Sequence, residues 1–108
     1  MTSSRTKPRT SRRRAPLGAR AVALQALGAV ERQEVRSPDA LSQALNRADL
    51  IDPRERALAT ELTYGVLRWR LRLDHALSPW VRQGLDKLEP VAQDVLRLGA
   101  YQILMLDK

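Results

Sequence analysis

Apolar side chains recur at spacings of three and four along the chain, which is the period of an amphipathic helix. A first helix is predicted over about residues 17–33, and its apolar stripe consists of Ala19, Val22, Ala23, Ala26, Leu27 and Val30. A second helix is predicted over about 38–48, beginning at Ser37-Pro38-Asp39. There the Ser37 hydroxyl would cap the helix and Pro38 would occupy its first position.

The third predicted helix begins at Pro53. Asp52 can cap it, and Glu55 follows three residues later, as in a capping box. Gly65 lies inside this helix, where it costs about 1 kcal/mol relative to alanine. We interpret this glycine as a place where a neighbouring helix approaches closely. The residues expected to face inward are Leu58, Leu62, Val66 and Trp69.

A break near residues 69–72 is expected to separate a fourth helix from the third, and Pro79 is expected to interrupt the fourth. A fifth helix is predicted to begin at Glu89-Pro90. Its apolar residues cover more than one face, which is typical of a central, buried helix. No segment alternates with period two for long enough to indicate a strand. The pattern therefore predicts an all-α fold, a bundle of about five helices.

Charge divides the chain into a basic tail and a neutral domain. The 108 residues contain 19 basic and 12 acidic side chains, a net charge of +7. Residues 1–20 hold seven of the basic side chains and no acidic one, so the remainder is balanced. Residues 1–15 contain no large apolar residue apart from Met1, so we expect a disordered basic tail followed by one domain over 16–108. The tail also resembles an organellar transit peptide in composition.

Several classes of enzyme are excluded or disfavoured by the residues. Cysteine is absent, which excludes disulfides, thiolate metal sites and a cysteine nucleophile, and which suits the reducing cytoplasm. The single histidine, His75, has no evident catalytic partner, and the five glycines are too scattered for a phosphate-binding loop. No metal-ligand spacing is present. We therefore expect no catalytic residue, no cofactor and no metal in this chain, and no apolar run long enough to span a membrane.

Arginines are the main functional signal, and they favour a nucleic acid as the partner. Arg12, Arg13, Arg14 and Arg20 form a cationic arm of the kind that binds phosphates by releasing counterions. A second cluster consists of Arg68, Arg70 and Arg72. Arg68 and Arg72 are four residues apart and would share a helix face, with Trp69 pointing elsewhere. The alternatives are a solubilising tail for the first group and a solvated face around a buried tryptophan for the second.

Three segments resemble NusB-like RNA-binding domains. The first is RAVALQAL at the start of the first helix, residues 20–27. The second, residues 71–104, runs LRLDHALSPWVRQGLDKLEPVAQDVLRLGAYQIL and follows the family's order of a Leu-Asp pair, a Pro-aromatic step and a V-L-R-x-x-x-Y helix. The third, ELTYGVLRWRLRLD at residues 61–74, is most similar to the N-terminal domain of RsmB-type 16S rRNA cytosine-C5 methyltransferases.

The resemblance implies a helical bundle that binds RNA, here small-subunit rRNA, ahead of a catalytic domain that uses S-adenosylmethionine. That chemistry requires a cysteine nucleophile, so this chain would be at most the RNA-binding part of such an enzyme. Family domains continue beyond the fifth helix, so the bundle is expected to be C-terminally incomplete and to self-associate through its unfinished core. Arg20 and Arg68 align with arginines of the family pattern. For Arg68, a structural role is an alternative to RNA contact.

Two further interpretations stay open at this point. The chain could be a NusB-type antitermination factor, which the resemblance would pair with RNA and a ribosomal protein. It could also be a helical partner-binding module whose basic tail is incidental.

Overall fold

The computed structural model describes residues 18–106 and shows five α-helices with no strand among those residues. The helices are α1 (Ala19–Arg32), α2 (Ser37–Ala48), α3 (Pro53–Arg68), α4 (Arg70–Leu77) and α5 (Pro90–Tyr101). Two 3₁₀ turns, Ser78–Trp80 and Leu85–Lys87, connect α4 to α5, and α5 continues into a π-helical turn, Gln102–Leu106. The all-α prediction is confirmed. The basic tail expected over residues 1–15 lies outside the described residues.

The core is built around α1, which packs against α2, α3 and α5. Its stripe of small residues is fully enclosed, because alanines allow the three neighbouring helices to approach closely. From the other helices, Leu62, Val66 and Leu73 are completely buried against it. The predicted inward face of α3 is therefore confirmed at its centre, while Leu58 and Trp69 are only partly buried at its ends.

The helix boundaries follow local sequence signals, with one exception. The Asp52 carboxylate accepts a hydrogen bond of 2.9 Å from the Arg54 amide, as expected of a cap. Pro79 ends α4 at Leu77 and places Ser78–Trp80 in a 3₁₀ turn. The predicted Ser37 cap is wrong: Ser37 is already the first residue of α2, Arg36 occupies the cap position, and no side chain caps this helix.

Gly65 lies where the sequence predicted a close approach. A Cβ built at this position would meet the phenol ring of Tyr101, which comes from α5. The absence of a side chain at Gly65 is therefore what allows α3 and α5 to cross here.

The expectation for α5 was wrong within the described residues. Its buried residues are Asp94, Arg97, Leu98 and Tyr101, all on the side that faces the other helices. Its outer side stays open, with Val91, Val95, Ile103 and Leu104 between 47% and 76% exposed. Trp80, in the 3₁₀ turn after α4, is 82% exposed. These apolar residues face solvent, and self-association through them stays a prediction.

Candidate RNA-binding surfaces

The start of α1 is anchored to the start of α3. The Ala19 amide donates a hydrogen bond of 3.2 Å to Oε1 of Glu55. Glu55 was expected to complete a capping box within α3; it serves the first amide of α1 instead. The first turn of α1 and the first turn of α3 therefore lie side by side.

Arg20 is the member of the predicted arm that lies within the described residues. It lies in the first turn of α1 with its side chain exposed. With its amide oxygen turned towards α1, Gln102 accepts hydrogen bonds from Nε and Nη2 of Arg20 at 2.9 and 2.8 Å. The guanidinium is thereby oriented while it remains accessible. The other candidate arm residues, Arg12, Arg13 and Arg14, lie outside the described residues.

The second basic cluster is arranged around Trp69. This residue forms the break between α3 and α4, with φ −104° and ψ 18°. The guanidinium carbons of Arg68 and Arg72 lie 5.4 and 5.6 Å from the centroid of its ring, within the range of cation–π attraction. The prediction that Trp69 points away from these arginines is wrong, because the break re-aims the indole between them. Both arginines are exposed.

Arg70 does not join this pair of arginines. Its Nη1 lies 3.4 Å from Oε2 of the largely buried Glu31 on α1, although the Arg70 side chain remains 43% exposed. The structure thus divides the predicted cluster: Arg68 and Arg72 flank Trp69 at the surface, and Arg70 closes an ion pair between α4 and α1.

The start of α1 and the Arg68 end of α3 lie far apart along α3. Ala19 lies beside Glu55 in the first turn of this helix, whereas Arg68 is its last residue. Thirteen residues at about 1.5 Å each separate the two positions by about 20 Å along the helix axis. An RNA that touches both would have to extend along the length of the bundle.

An ion-pair network at the far end of α1 was not predicted from the sequence. Arg97 of α5 is its centre, and its Nε and Nη2 donate to the Asp74 carboxylate at 2.7 and 3.2 Å. Its Nη1 donates to Asp94 at 3.2 Å and lies 3.6 Å from Glu31. Asp94 and Arg97, three residues apart in the mostly apolar α5, are the sequence feature that could have indicated this network.

Burial changes the acidity of this network. Desolvation raises the pKa of Glu31 above its usual value of 4.5, and the nearby Asp94 raises it further, while Arg70 and Arg97 act in the opposite direction. Burial by itself would lower the pKa of Arg97. The hydrogen bond to Asp74 and the negative charges of Asp74, Glu31 and Asp94 outweigh burial, so the pKa is raised. The network joins α1, α4 and α5, so we interpret it as structural.

The described residues offer no catalytic constellation that we can assign. His75 is exposed on α4, and only its backbone carbonyl accepts a hydrogen bond, from the Ser78 hydroxyl. Within residues 18–106, no three His, Asp or Glu side chains cluster in a way that could hold a metal ion. None of the helices there combines the length and apolar character that crossing a membrane requires.

The bundle and its surface arginines define a small all-helical domain with basic surfaces. The chain belongs to the NusB family, whose sequence profile matches residues 17–108. It is 35% identical over 89 residues to a probable ribosomal RNA small subunit methyltransferase B of Bacillus subtilis, covering 82% of this chain. It is 39% identical over 93 residues to a putative methyltransferase of Mycobacterium tuberculosis, covering 85% of this chain.

In both cases the chain spans only 20% of the length of the methyltransferase. The transcription antitermination protein NusB of Xanthomonas oryzae is 42% identical over 43 residues, which is 40% of this chain and 28% of that protein. A search of solved structures gave no significant match. The predicted family is therefore confirmed, with relatives among RsmB-type methyltransferases and among antitermination proteins.

Proposed function

We propose that this chain is the RNA-binding part of an RsmB-like 16S rRNA cytosine-C5 methyltransferase that acts in the cytoplasm. The observation that carries the proposal is the similarity to the two methyltransferases, which extends over more than four fifths of this chain. The similarity to an antitermination protein covers less than half of it. The domain would hold small-subunit rRNA while chemistry takes place elsewhere.

The arginines supply the means of binding RNA. Arg12, Arg13 and Arg14 precede the bundle in the sequence, and Arg20 in the first turn of α1 is already oriented by Gln102. Arg68 and Arg72 supply exposed guanidinium groups at the other end of α3. These groups contact phosphates without reading the sequence of bases, so we expect weak binding with little sequence preference.

We place S-adenosylmethionine outside this chain. An apolar groove of about 500 Å³ between α4 and α5 is lined by residues such as Leu77, Trp80 and Val95 and by no carboxylate or guanidinium. The charged amino-acid part and the ribose hydroxyls of that cofactor would find no partner there. With no cysteine in the sequence, the methyl transfer itself would also require another domain.

Salt dependence is the direct test of RNA binding by the arm. For single-stranded nucleic acid, the logarithm of the association constant falls with the logarithm of salt concentration by about 0.7 per contacted phosphate. We expect an overall slope of about −2 to −3 for a single-stranded small-subunit rRNA oligonucleotide. Replacing Arg12, Arg13 and Arg14 with alanine should make the slope shallower by about 2. Filter binding over a series of salt concentrations measures both values.

The same assay separates the folded surface from the arm. Replacing Arg68 and Arg72 with glutamine should weaken binding if RNA reaches the Trp69 end of the bundle. Arg70→Gln is the matched control, because Arg70 pairs with Glu31 and should alter stability rather than affinity. Tight, sequence-selective binding by this chain alone, or binding unchanged after deletion of residues 1–15, would contradict the proposal.

The second candidate is a NusB-type antitermination factor that binds RNA together with a ribosomal protein. The local identity of 42% to such a protein favours it. The reading frame downstream of Lys108 distinguishes the two. A methyltransferase domain containing cysteine supports the first proposal, whereas two further helices followed by a stop codon support the second.

A further inference from the structure

A groove of about 490 Å³ lies along α1, away from both basic regions described above. Arg32 comes from the last turn of α1 and Arg47 from the last turn of α2, and both line it. Leu24 and Val91 add apolar surface, and Val91 is 56% exposed. No acidic side chain lines the groove, so its walls carry an excess of positive charge.

Arg32 is held in a defined position by two features of the fold. Gly28 lies one turn earlier on α1, and a Cβ built there would collide with Nη2 of Arg32 and lie 3.1 Å from its Cζ. The guanidinium therefore lies across the bare backbone of Gly28. On its other side, Nη1 is 3.6 Å from Oδ2 of the buried Asp94. The side chain is still 36% exposed, so donors remain for a ligand.

Arg47 is the more mobile of the two cations. It is exposed, and its contact with Gln43 one turn earlier on α2 is long, 3.5 Å between Nη2 and Oε1. A guanidinium that is oriented in advance loses little freedom on binding, and a second one can adjust to the ligand. A planar guanidinium group can donate two parallel hydrogen bonds to two oxygens of one phosphate.

We propose that this groove binds a phosphodiester of single-stranded RNA, with Arg32 as the fixed contact and Arg47 as the adjustable one. Leu24 and Val91 would then lie against the attached ribose or base. The inference rests on the proposed function, since it names a place on the folded domain where the same RNA binds. Its two cations, Arg32 and Arg47, lie outside the segments that carry the family resemblance.

Two substitutions test the groove without removing a buried charge. Arg47→Gln removes an exposed cation, so we expect weaker binding and a salt slope shallower by about 0.7, the value of one phosphate contact. Gly28→Ala keeps every charge but displaces the guanidinium of Arg32, and we expect a several-fold loss of affinity. Gly99→Ala is the matched control, because a Cβ there meets nothing within 4 Å and lies in the apolar groove.

The measurement is fluorescence anisotropy of a labelled single-stranded small-subunit rRNA oligonucleotide, at several salt concentrations, with thermal melts to confirm that each variant is folded. Ultraviolet cross-linking of the same RNA, followed by peptide mapping, gives an independent readout: we expect cross-linked peptides from α1 between Leu24 and Gln33.

The outcomes separate the two proposals. If the unchanged chain binds no RNA, the proposed function fails and the groove inference with it. If the unchanged chain binds RNA while folded Gly28→Ala and Arg47→Gln variants bind equally well, only the groove inference is overturned. Cross-links confined to peptides that do not line the groove would also overturn it. If an acidic peptide competes for the groove and RNA does not, the groove is a protein-binding site and the inference is wrong.

Discussion

The phenol ring of Tyr101 lies directly against the backbone of Gly65, in the space that any other residue would fill with its Cβ. This contact sets how closely α3 and α5 approach each other. A long contact between the Tyr101 hydroxyl and Glu61, 3.5 Å, lies beside it on the same face of α3. Burial raises the pKa of Tyr101, and the neighbouring Glu61 carboxylate raises it further.

Gly65→Ala should destabilise the domain even though alanine favours helix. The gain in helix propensity is about 1 kcal/mol, while overpacking against a ring costs about 1–3 kcal/mol. We expect a net loss of up to about 2 kcal/mol in the free energy of unfolding, measured by urea denaturation. Gly99→Ala, where a Cβ meets nothing, should instead stabilise by up to about 1 kcal/mol. Stabilisation by both substitutions would contradict the close contact.

Arg97→Met should destabilise the domain strongly. The substitution leaves Asp94 and Glu31 near each other with their principal cation removed, and breaking a buried ion pair in this way costs about 3–5 kcal/mol. Asp74→Asn is the milder control, because Asp74 is partly exposed and the amide oxygen can still accept a hydrogen bond from Arg97. Chemical denaturation of both variants measures the difference. A loss below about 1 kcal/mol for Arg97→Met would show that the network is not a structural element.

The raised pKa of Glu31 predicts a pH dependence. A carboxyl group with a higher pKa in the folded state stabilises the fold fully below its unfolded pKa, near 4.5, and this contribution is lost as pH rises through the folded pKa. The stability of the unchanged chain relative to Glu31→Gln should therefore fall as pH increases above 4.5. Paired urea titrations between acidic and neutral pH measure this difference. A difference that grows with pH would mean that Arg70 and Arg97 dominate over burial.

The proline-led starts of α2 and α3 should respond differently to loss of a polar side chain. Asp52→Ala removes a carboxylate that accepts a hydrogen bond from Arg54, so it should cost about 1 kcal/mol. Ser37→Ala should change stability by only a few tenths of a kcal/mol, because Ser37 lies inside α2 and caps nothing. Thermal unfolding followed by circular dichroism compares them. Equal losses would indicate that Ser37 caps the helix in solution.

Much of the fold could be predicted from local sequence because local interactions determine where helices begin and end. The carboxylate of Asp52 can only serve an amide that follows it closely, and Pro79 blocks a helix wherever the chain is placed. The close approach at Gly65 could also be predicted locally, because glycine is an unfavourable residue inside a helix. The family could be predicted for a related reason: its motifs are short runs within single helices.

The assignment of each charge to the surface or the interior could not be predicted from sequence alone. Arg70 and Arg72 are two residues apart in the same short helix, yet the first pairs with Glu31 and the second lies over an indole. That difference depends on which helices are neighbours and how they cross. The amphipathic pattern by itself determined that these residues form helices. The distribution of charged residues along the sequence determined that a neutral domain follows a basic segment. Only the tertiary structure decided that Arg97 lies inside and Trp80 outside, because burial depends on what packs against a face.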